Sequence, residues 1–315
     1  MARNPDAAQG TRRFERTLRA ASTIGPAAIE SPEPPHRPLS VPQLDRYFAR
    51  IGFSGRRDAT LATLRAVHRA HLLAIPYENL DLHLGLRLTL DPETMFTKLV
   101  DERRGGWCYE MNGVLGRVLE TLGFDVRYLS GAVGRAERGW RAQGNHLVLL
   151  VTLDRPWIVD VGFGDGFLTP LPLEPGSYRQ DFLQYHVTRD GPRWRVHNHA
   201  FGGADGFDFS LTPRHLDDFA HQCLELQTSP ESGFVKSTVC ERHLPSGLLV
   251  LRGATLREVS AEGVTTRVVG TAADFDRVLR DRFDLAIPGV DTLWPRVWER
   301  HLQWHGEQAA AATNP

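Results

Sequence analysis

The first half of the chain places apolar residues at intervals of three and four, which is the spacing of one face of a helix. One apolar stripe runs over residues 44–51, a second over residues 61–72, and the third and clearest over residues 111–122. Gly123 follows the third stripe and is well placed to end that helix, because glycine tolerates the left-handed backbone of a helix C-terminus. The third helix is predicted to begin at or just before Cys108.

Beyond Gly123 the pattern changes to short segments rich in Val, Leu and aromatic residues, separated by turn residues. Strands are predicted over residues 125–129, 146–152, 157–161, 185–189, 194–196, 248–252, 255–259 and 265–269, and a further helix over 273–283. The order is helices, then a sheet, then a mixed segment, without the alternation of strand and helix that marks a doubly wound fold. The middle part is therefore predicted to be a barrel or a curled antiparallel sheet.

Length and composition place the chain among globular proteins. At about 150 residues per domain, 315 residues predict two domains. The pattern instead divides the chain into three smaller units after an N-terminal segment. Residues 1–40 are rich in Arg, Ala and Pro and contain no continuous apolar run, so they are predicted to be a disordered extension.

Charge and cysteine content exclude several classes of protein. Lys and Arg number 37 against 38 Asp and Glu, a net charge of -1, which offers no electrostatic reason for binding nucleic acid or an anionic membrane. The longest apolar run, residues 147–151, is far shorter than the roughly 20 residues that span a bilayer. Three cysteines without CxxC or Cys/His spacing indicate neither a disulfide framework nor a metal site, so a reducing cytoplasm is the predicted setting.

Cys108 follows two glycines and stands at the predicted start of the clearest amphipathic helix. The first turn of a helix presents unpaired N–H groups and the positive end of the helix dipole, which favour a thiolate over a thiol. Gly105 and Gly106 remove side-chain bulk, so an acyl group can approach the sulfur closely. This setting predicts a nucleophile, and the alternative is one more buried cysteine. Cys223 and Cys240 lack such a setting and are predicted to be structural.

His146 opens an apolar strand and Asp160 lies between valines in the next one, so each polar group needs a partner or a cleft. Residues 153–156 (LDRP) have the composition of a turn, which predicts a hairpin. The two side chains share a face if the residue opposite Asp160 is even-numbered, and Val148 is the obvious candidate. A thiolate nucleophile needs a base oriented by a carboxylate, so Cys108, His146 and Asp160 form the predicted catalytic set. Alternatively, His146 caps a strand and Asp160 makes a local turn contact.

A Gly-Gly-x-Cys helix start, a strand-borne His and an Asp followed by Gly-Phe-Gly together resemble the arylamine N-acetyltransferases, enzymes that carry acetyl from acetyl-CoA to aromatic amines and hydrazines. The matching segments are residues 44–47 (LDRY), 50–52 (RIG), 75–80 (IPYENL), 104–112 (RGGWCYEMN), 160–164 (DVGFG) and 227–230 (QTSP), with Ser232 and Phe234. The likeness runs from about residue 42 to about residue 305. Tyr77 stands where that family usually has Phe, which leaves a changed pocket wall or hydrogen bond open there.

The resemblance implies an α+β fold in three parts, with a catalytic core like that of papain-like and transglutaminase-like enzymes. The parts are an N-terminal helical bundle, a central antiparallel β-barrel and a C-terminal α/β lid. After the extension of residues 1–40, the predicted domains are residues 41–124 for the bundle with the catalytic Cys, 125–230 for the barrel with His and Asp, and 231–315 for the lid.

The resemblance also implies a function, namely acetyl-CoA-dependent N-acetylation of arylamines, arylhydrazines or similar amines by a ping-pong mechanism through S-acetyl-Cys108. His146 is then the base and Asp160 its orienting carboxylate, while Arg104 and Glu78 are expected to pair and support the active-site loop. Acetyl-CoA is expected as an acyl-donor substrate, with no resident cofactor. A small aromatic amine or hydrazine is the other expected partner, and the chain is expected to be a monomer or a homodimer.

Four further residues are candidates for the substrate pocket. Phe163 and Val133 are aromatic or apolar residues near the predicted catalytic set, where they would line an arylamine pocket or belong to ordinary core. Gly162 and Gly164 leave room for the pantetheine arm of CoA, although a short Gly-x-Gly is common in turns.

Three other functions fit the same residues. An amide synthase of the same family would release a polyketide from a carrier protein as a macrolactam through an equivalent cysteine. A cysteine hydrolase or transglutaminase-like enzyme would use the same three groups on amides. A binding or scaffold protein would keep the fold without catalysis, but packing alone gives no reason for Cys, His and Asp to occur together.

Overall fold

The structure is a computed structural model that describes residues 38–313, with side chains described through residue 304. Residues 1–37 of the predicted N-terminal extension therefore lie outside the described residues. Among residues 38–313, no helix is both long and apolar enough to cross a membrane.

Helices dominate the first part of the described chain and return near its end. They are α1 (Val41–Ile51), α2 (Leu61–Ala74), α3 (Leu80–His83), α4 (Pro92–Phe96), α5 (Cys108–Thr121), α6 (Arg135–Arg138), α7 (Ala220–Thr228), α8 (Gly233–Lys236), α9 (Ala272–Phe283) and α10 (Trp294–Thr313). A π-helical turn, Thr97–Asp101, continues α4. The start of α5 at Cys108 confirms the sequence prediction, and Gly123 follows this helix with a φ of 87°.

Eight antiparallel strands curl into a nearly closed barrel around an apolar core. In the order of the sheet they are β5 (Leu171–Pro172), β4 (Pro156–Val159), β3 (His146–Thr152), β2 (Asp125–Val133), β9 (Gly206–Arg214), β8 (Arg193–His197), β7 (Leu183–Asp190) and β6 (Gly176–Gln180). The central strand β3 is buried along nearly its whole length, because α5 covers it on one side and the barrel core on the other. Its pattern is accordingly a continuous apolar run rather than an alternation.

A second sheet of five antiparallel strands has its own core with α9. Its order is β1 (Tyr77–Glu78), β10 (Val239–Leu244), β11 (Gly247–Arg252), β12 (Thr255–Ser260) and β13 (Gly263–Val268). Strand β1 comes from the helical part of the chain, between α2 and α3, and it is too short to show any periodicity. The α+β class is thus confirmed, whereas the domain boundaries at residues 124 and 230 stay predictions.

Local details differ from the predicted strands in ways that matter for the site. Strand β2 extends to Val133, with an irregular register towards β9 between Leu129 and Gly131. Strand β4 ends at Val159, so Asp160 lies just beyond the strand instead of inside it. Strand β10 and helix α7 were not predicted, because their residues carry no clear two- or three-residue periodicity.

Helix α5 lies very close to the barrel at one glycine and meets a flexible side chain at another. A Cβ added at Gly116 would collide with the phenol of Tyr128, whose ring carbon Cζ would be 2.7 Å away. A Cβ added at Gly113 would meet the end of the Met95 side chain, at 3.0 Å from Cε. Tyr128 is buried and rigid, whereas a Met side chain repacks easily.

We expect Gly116→Ala to lower the free energy of unfolding by about 2 kcal/mol, because overpacking a rigid core neighbour costs more than alanine gains in helix propensity. Gly113→Ala on the same helix is the matched control and should change stability by less than about 1 kcal/mol, since Met95 can move. Urea denaturation followed by circular dichroism measures both. Equal effects of the two substitutions would show that the Gly116–Tyr128 approach is not tight in solution.

Candidate active site

The loop that precedes α5 runs tightly against neighbouring backbone and side chains. An added Cβ at Gly105 would collide with the carbonyl oxygen of Pro76, and one at Gly106 would come within 2.9 Å of a Glu110 oxygen. The Glu110 carboxylate in turn accepts the backbone N–H of Trp107 at 3.2 Å, which satisfies one of the unpaired donors of the helix start. The two glycines therefore serve the packing of the protein itself, and this packing fixes where Cys108 begins the helix.

A cluster of charged side chains, here called the ion cluster, lies buried behind this loop. It consists of Glu78, Asp81, Lys98, Arg104 and Glu110. Arg104 donates to Glu78 at 2.9 Å and to Asp81 at 2.5 Å, while Lys98 contacts Asp81 at 2.9 Å and Glu110 at 2.8 Å. The predicted contact between Arg104 and Glu78 is thus present and buried, and their support of the active site stays a prediction.

The hairpin of β3 and β4 brings His146 and Asp160 together. The register pairs Leu149 with Val159, so Asp160 follows opposite Val148, the even-numbered position that the sequence favoured. The imidazole Nε2 of His146 donates to Oδ2 of Asp160 at 2.6 Å, and both side chains are almost fully buried. Because Nε2 is engaged by the carboxylate, Nδ1 is the ring nitrogen left to exchange a proton.

Asn112 is a site residue that the sequence analysis missed. Its Nδ2 donates to Oδ1 of Asp160 and to the carbonyl of Leu147, both at 2.7 Å, and its Oδ1 accepts the N–H of Val161 at 2.9 Å. The carboxylate of Asp160 also accepts the N–H of Gly162 at 2.8 Å. The spacing from Cys108 could have identified Asn112, because a residue four positions further along lies on the same face of the helix.

His68 is the second missed residue, assigned by its spacing to the apolar stripe of α2. Burial lowers its pKa to about 4, so the ring is neutral at ordinary pH. Its Nδ1 lies 3.0 Å from the carbonyl oxygen of Leu168, and its Nε2 lies 3.1 Å from the carbonyl oxygen and 3.3 Å from the backbone nitrogen of Asp160. The backbone of Asp160 is therefore held by α2, while its carboxylate is held by α5 and β3.

The side chain of Cys108 is almost fully buried, which its position at a helix start does not by itself predict. Burial raises the pKa of the Cys108 thiol, and hydrogen bonding by the backbone at Leu147 and Tyr109 opposes this rise. The position of Cys108 at a helix start predicts a stabilised thiolate. In the structure, however, the loss of hydration on burial has the larger effect on the pKa and favours the neutral thiol. Proton removal from Cys108 thus requires a base close by.

Cys108 and His146 line one cavity of about 230 Å³. Three of the four predicted pocket residues, Val133, Gly162 and Phe163, also line it, whereas Gly164 does not. An added Cβ at Gly162 would lie 2.6 Å from Cα of Cys108, so this glycine lets the hairpin approach α5. The roles of the four predicted pocket residues in binding substrate stay predictions.

Two aromatic rings cover the imidazole of His146. Phe163 lies edge-on to it, with ring centroids 5.5 Å apart, and the ring centroid of Phe207 lies 4.9 Å away, on strand β9, which β2 separates from β3 in the sheet. Phe207 was not predicted, since nothing in the sequence relates it to His146. Among the described residues, no group of three His, Cys, Asp or Glu side chains is arranged to hold a metal ion.

Comparison with known proteins gives a consistent result. The family model described as N-acetyltransferase matches residues 60–291. An arylamine N-acetyltransferase of the pineal gland of Gallus gallus is 32% identical over 78% of this chain and 94% of its own length. The arylamine N-acetyltransferase of Escherichia coli K12 is 34% identical over 78% of this chain and 90% of its own length. The solved structure of the Mycobacterium marinum arylamine N-acetyltransferase in complex with CoA matches with a TM-score of 0.74 at 33% identity, covering 81% of this chain and 98% of that one.

The ion cluster leads to a stability prediction. Lys98→Met leaves Asp81 and Glu110 buried without their shared cation, so we expect a loss of about 3 kcal/mol in the free energy of unfolding. Adding Glu110→Gln, which keeps the shape of that side chain, should recover part of the loss.

Urea denaturation of both single variants and the double variant gives the coupling between Lys98 and Glu110. The control is Lys236→Met, which breaks an exposed pair with Glu231 and should cost less than about 0.5 kcal/mol. A Lys98→Met variant as stable as that control would show that the ion cluster does not hold the loop.

Proposed function

Because this chain belongs to the arylamine N-acetyltransferase family and is an enzyme of that kind, we propose that it transfers acetyl from acetyl-CoA to aromatic amines or hydrazines through S-acetyl-Cys108. The observation that carries this proposal is that Cys108 on α5 and His146 on β3 line one cavity, and that Asp160, just beyond β4, hydrogen-bonds to the imidazole of His146. These three residues have the chemistry of a nucleophile, a base and a carboxylate that orients the base, which acyl transfer requires.

In the first half-reaction, Nδ1 of His146 accepts the proton of Cys108 as the sulfur attacks the acetyl carbonyl of the donor. The C–S bond to CoA breaks, and the departing CoA sulfur takes the proton from the imidazolium. Asp160 stabilises that imidazolium through its hydrogen bond to Nε2. Since burial raises the pKa of Cys108, we expect the proton to move in concert with the attack instead of before it.

The second half-reaction reverses these roles with the amine. The amine nitrogen attacks the S-acetyl carbonyl, His146 removes the proton that this nitrogen must lose, and the sulfur of Cys108 leaves and regains a proton. Backbone N–H groups at the start of α5, including that of Cys108, would stabilise the oxyanion of each tetrahedral intermediate. Val133 and Phe163 supply the apolar wall for the aromatic ring of the acceptor.

A second cavity, of about 420 Å³, supports a donor that carries phosphates. Among the residues whose side chains the structure describes, its lining has several cationic side chains and no carboxylate. They are Lys236, Arg252, Arg257, Arg296 and Arg300, with His83 and His301 beside them. Arg252 lines this cavity and the Cys108 cavity as well, so the two lie next to each other. A CoA molecule with its phosphates among these cations and its thioester at Cys108 would use both.

We expect incubation with acetyl-CoA to add one acetyl group to the protein and none to Cys108→Ala, because the sulfur is the attacking atom. Intact-mass spectrometry measures the addition, and release by a small arylamine completes the cycle. Acetylation of Cys108→Ala would place the nucleophile elsewhere. Acetate release without any amine would favour the hydrolase, and inertness towards every small arylamine would favour the amide synthase.

We expect Arg296→Gln to raise KM for acetyl-CoA about fivefold and to leave kcat nearly unchanged, since one exposed charge contact is worth on the order of 1 kcal/mol. The matched control is Arg127→Gln on β2, an exposed arginine outside the lining of both cavities, which should leave KM unchanged. Steady-state kinetics with acetyl-CoA as the varied substrate measures both variants. Identical KM values in the two variants would indicate that the phosphates of the donor do not bind beside Arg296 on α10.

A cytoplasmic setting and a monomeric or dimeric state stay predictions. Cys108, Cys223 and Cys240 are all buried and free of disulfides, as a reducing compartment would require.

A further inference from the structure

Two polar side chains that the mechanism does not use face the cavity beside Cys108. Strands β1 and β10 pair Tyr77 directly with Glu241, so the two side chains emerge on the same face of the sheet. Both line the Cys108 cavity. Tyr77 is also the position at which this chain departs from the pattern IPFENL of the family that it resembles.

The carboxylate of Glu241 accepts a hydrogen bond from the backbone of Asp165 but has no side-chain partner among the described residues. Only 7% of this residue is exposed, yet among the described residues no side chain hydrogen-bonds to it or forms an ion pair with it. The neighbouring Asp165 is satisfied, since it accepts from Asn198 at 2.9 Å and from the N–H of Gly203 at 2.6 Å. A buried carboxylate without a side-chain partner at a cavity wall needs an explanation.

The backbone makes room for this carboxylate. Gly164 has a φ of 76°, and a Cβ there would collide with the Glu241 carboxylate and lie 3.5 Å from the ring of Tyr77. The glycine thus keeps both side chains directed at the cavity. This packing explains why residue 164 is a glycine, whether or not it contacts the pantetheine arm of CoA as predicted.

Burial dominates the electrostatics of Glu241. Burial and the charge of Asp165 together raise its pKa to about 8, although Arg252 on β11, Arg257 on β12 and a hydrogen bond from the backbone N–H of Asp165 act in the opposite direction. Burial also raises the pKa of the Tyr77 phenol, and Cys108 and Glu241 add to this rise. A ligand that brings positive charge or N–H donors to this wall would favour the ionised carboxylate.

We propose that Tyr77 and Glu241 form a subsite that selects acceptors whose end distal to the reacting nitrogen carries positive charge and N–H donors. This inference rests on the proposed function, because it assigns the acceptor and not the acyl donor to this wall of the cavity. The reacting nitrogen lies at S-acetyl-Cys108, the aromatic ring packs against Phe163, and the distal group reaches the β1–β10 pair. A distal cation favours the ionised form of Glu241, whereas a distal carboxylate opposes its ionisation and gains no such partner there.

The test compares three acceptors of nearly equal shape. They are 4-toluidine, 4-aminobenzylamine and 4-aminobenzoate, whose distal groups are neutral, cationic and anionic. In Glu241→Gln, we expect kcat/KM to fall about tenfold for 4-aminobenzylamine and to rise several-fold for 4-aminobenzoate, with 4-toluidine changed less than about threefold. Tyr77→Phe, which restores the usual residue of the family, should lower the preference for 4-aminobenzylamine about threefold.

The outcomes separate this subsite from the proposed function. Acetylation of Cys108 by acetyl-CoA, measured as a mass shift in a single turnover, should proceed at the wild-type rate in both variants. An equal fall for all three acceptors would mean that Glu241 is structural, and a slower acetylation step would mean that it contacts the donor. Either result overturns the subsite while turnover of 4-toluidine still supports the acetyltransferase. If Glu241→Gln does not fold, an unchanged acceptor preference in Tyr77→Phe overturns it.

Discussion

Charges that have been removed from water lie directly behind Cys108. In the ion cluster, three carboxylates share two cations behind the loop that leads into α5. Ions taken into the interior are tolerated only when each finds its partners in good geometry, so small displacements are costly. The contacts of the cluster join β1, the π-helical turn and the first turn of α5, and Gly105 and Gly106 let these segments approach closely. We therefore expect the position of Cys108 to depend on this cluster.

Several elements hold Asp160, the carboxylate of the predicted catalytic set. Its carboxylate receives donors from His146 on β3, Asn112 on α5 and the N–H of Gly162, while Nε2 of His68 on α2 contacts its backbone. A carboxylate that accepts several hydrogen bonds keeps its orientation. The imidazole is then held in one tautomer, which matters because burial raises the pKa of the Cys108 thiol and makes the cysteine dependent on its base.

The two cavities differ in the chemistry of their walls. The larger one is lined with cations, whereas the smaller one combines aromatic rings with Glu241, which has no side-chain partner among the described residues. Arg252 lines both. In the proposed function, a donor rich in phosphates and a small aromatic acceptor meet different surfaces, although both must deliver their reacting atoms to the same sulfur.

Features that depend on local spacing could be predicted from the amino-acid sequence. They are the helix start at Cys108, the hairpin with an even-numbered partner for Asp160 and the order of helices, sheet and mixed segment, because periodicity and turn chemistry act over a few residues. Long-range packing, in contrast, brings His68 and Asn112 to Asp160, places Phe207 over His146, and sets Tyr77 of the two-residue strand β1 against Glu241. These contacts join residues far apart in the chain, and the pKa of Cys108 depends on how much water the folded protein excludes. Desolvation is a property of the whole packed environment, so no local pattern contains it.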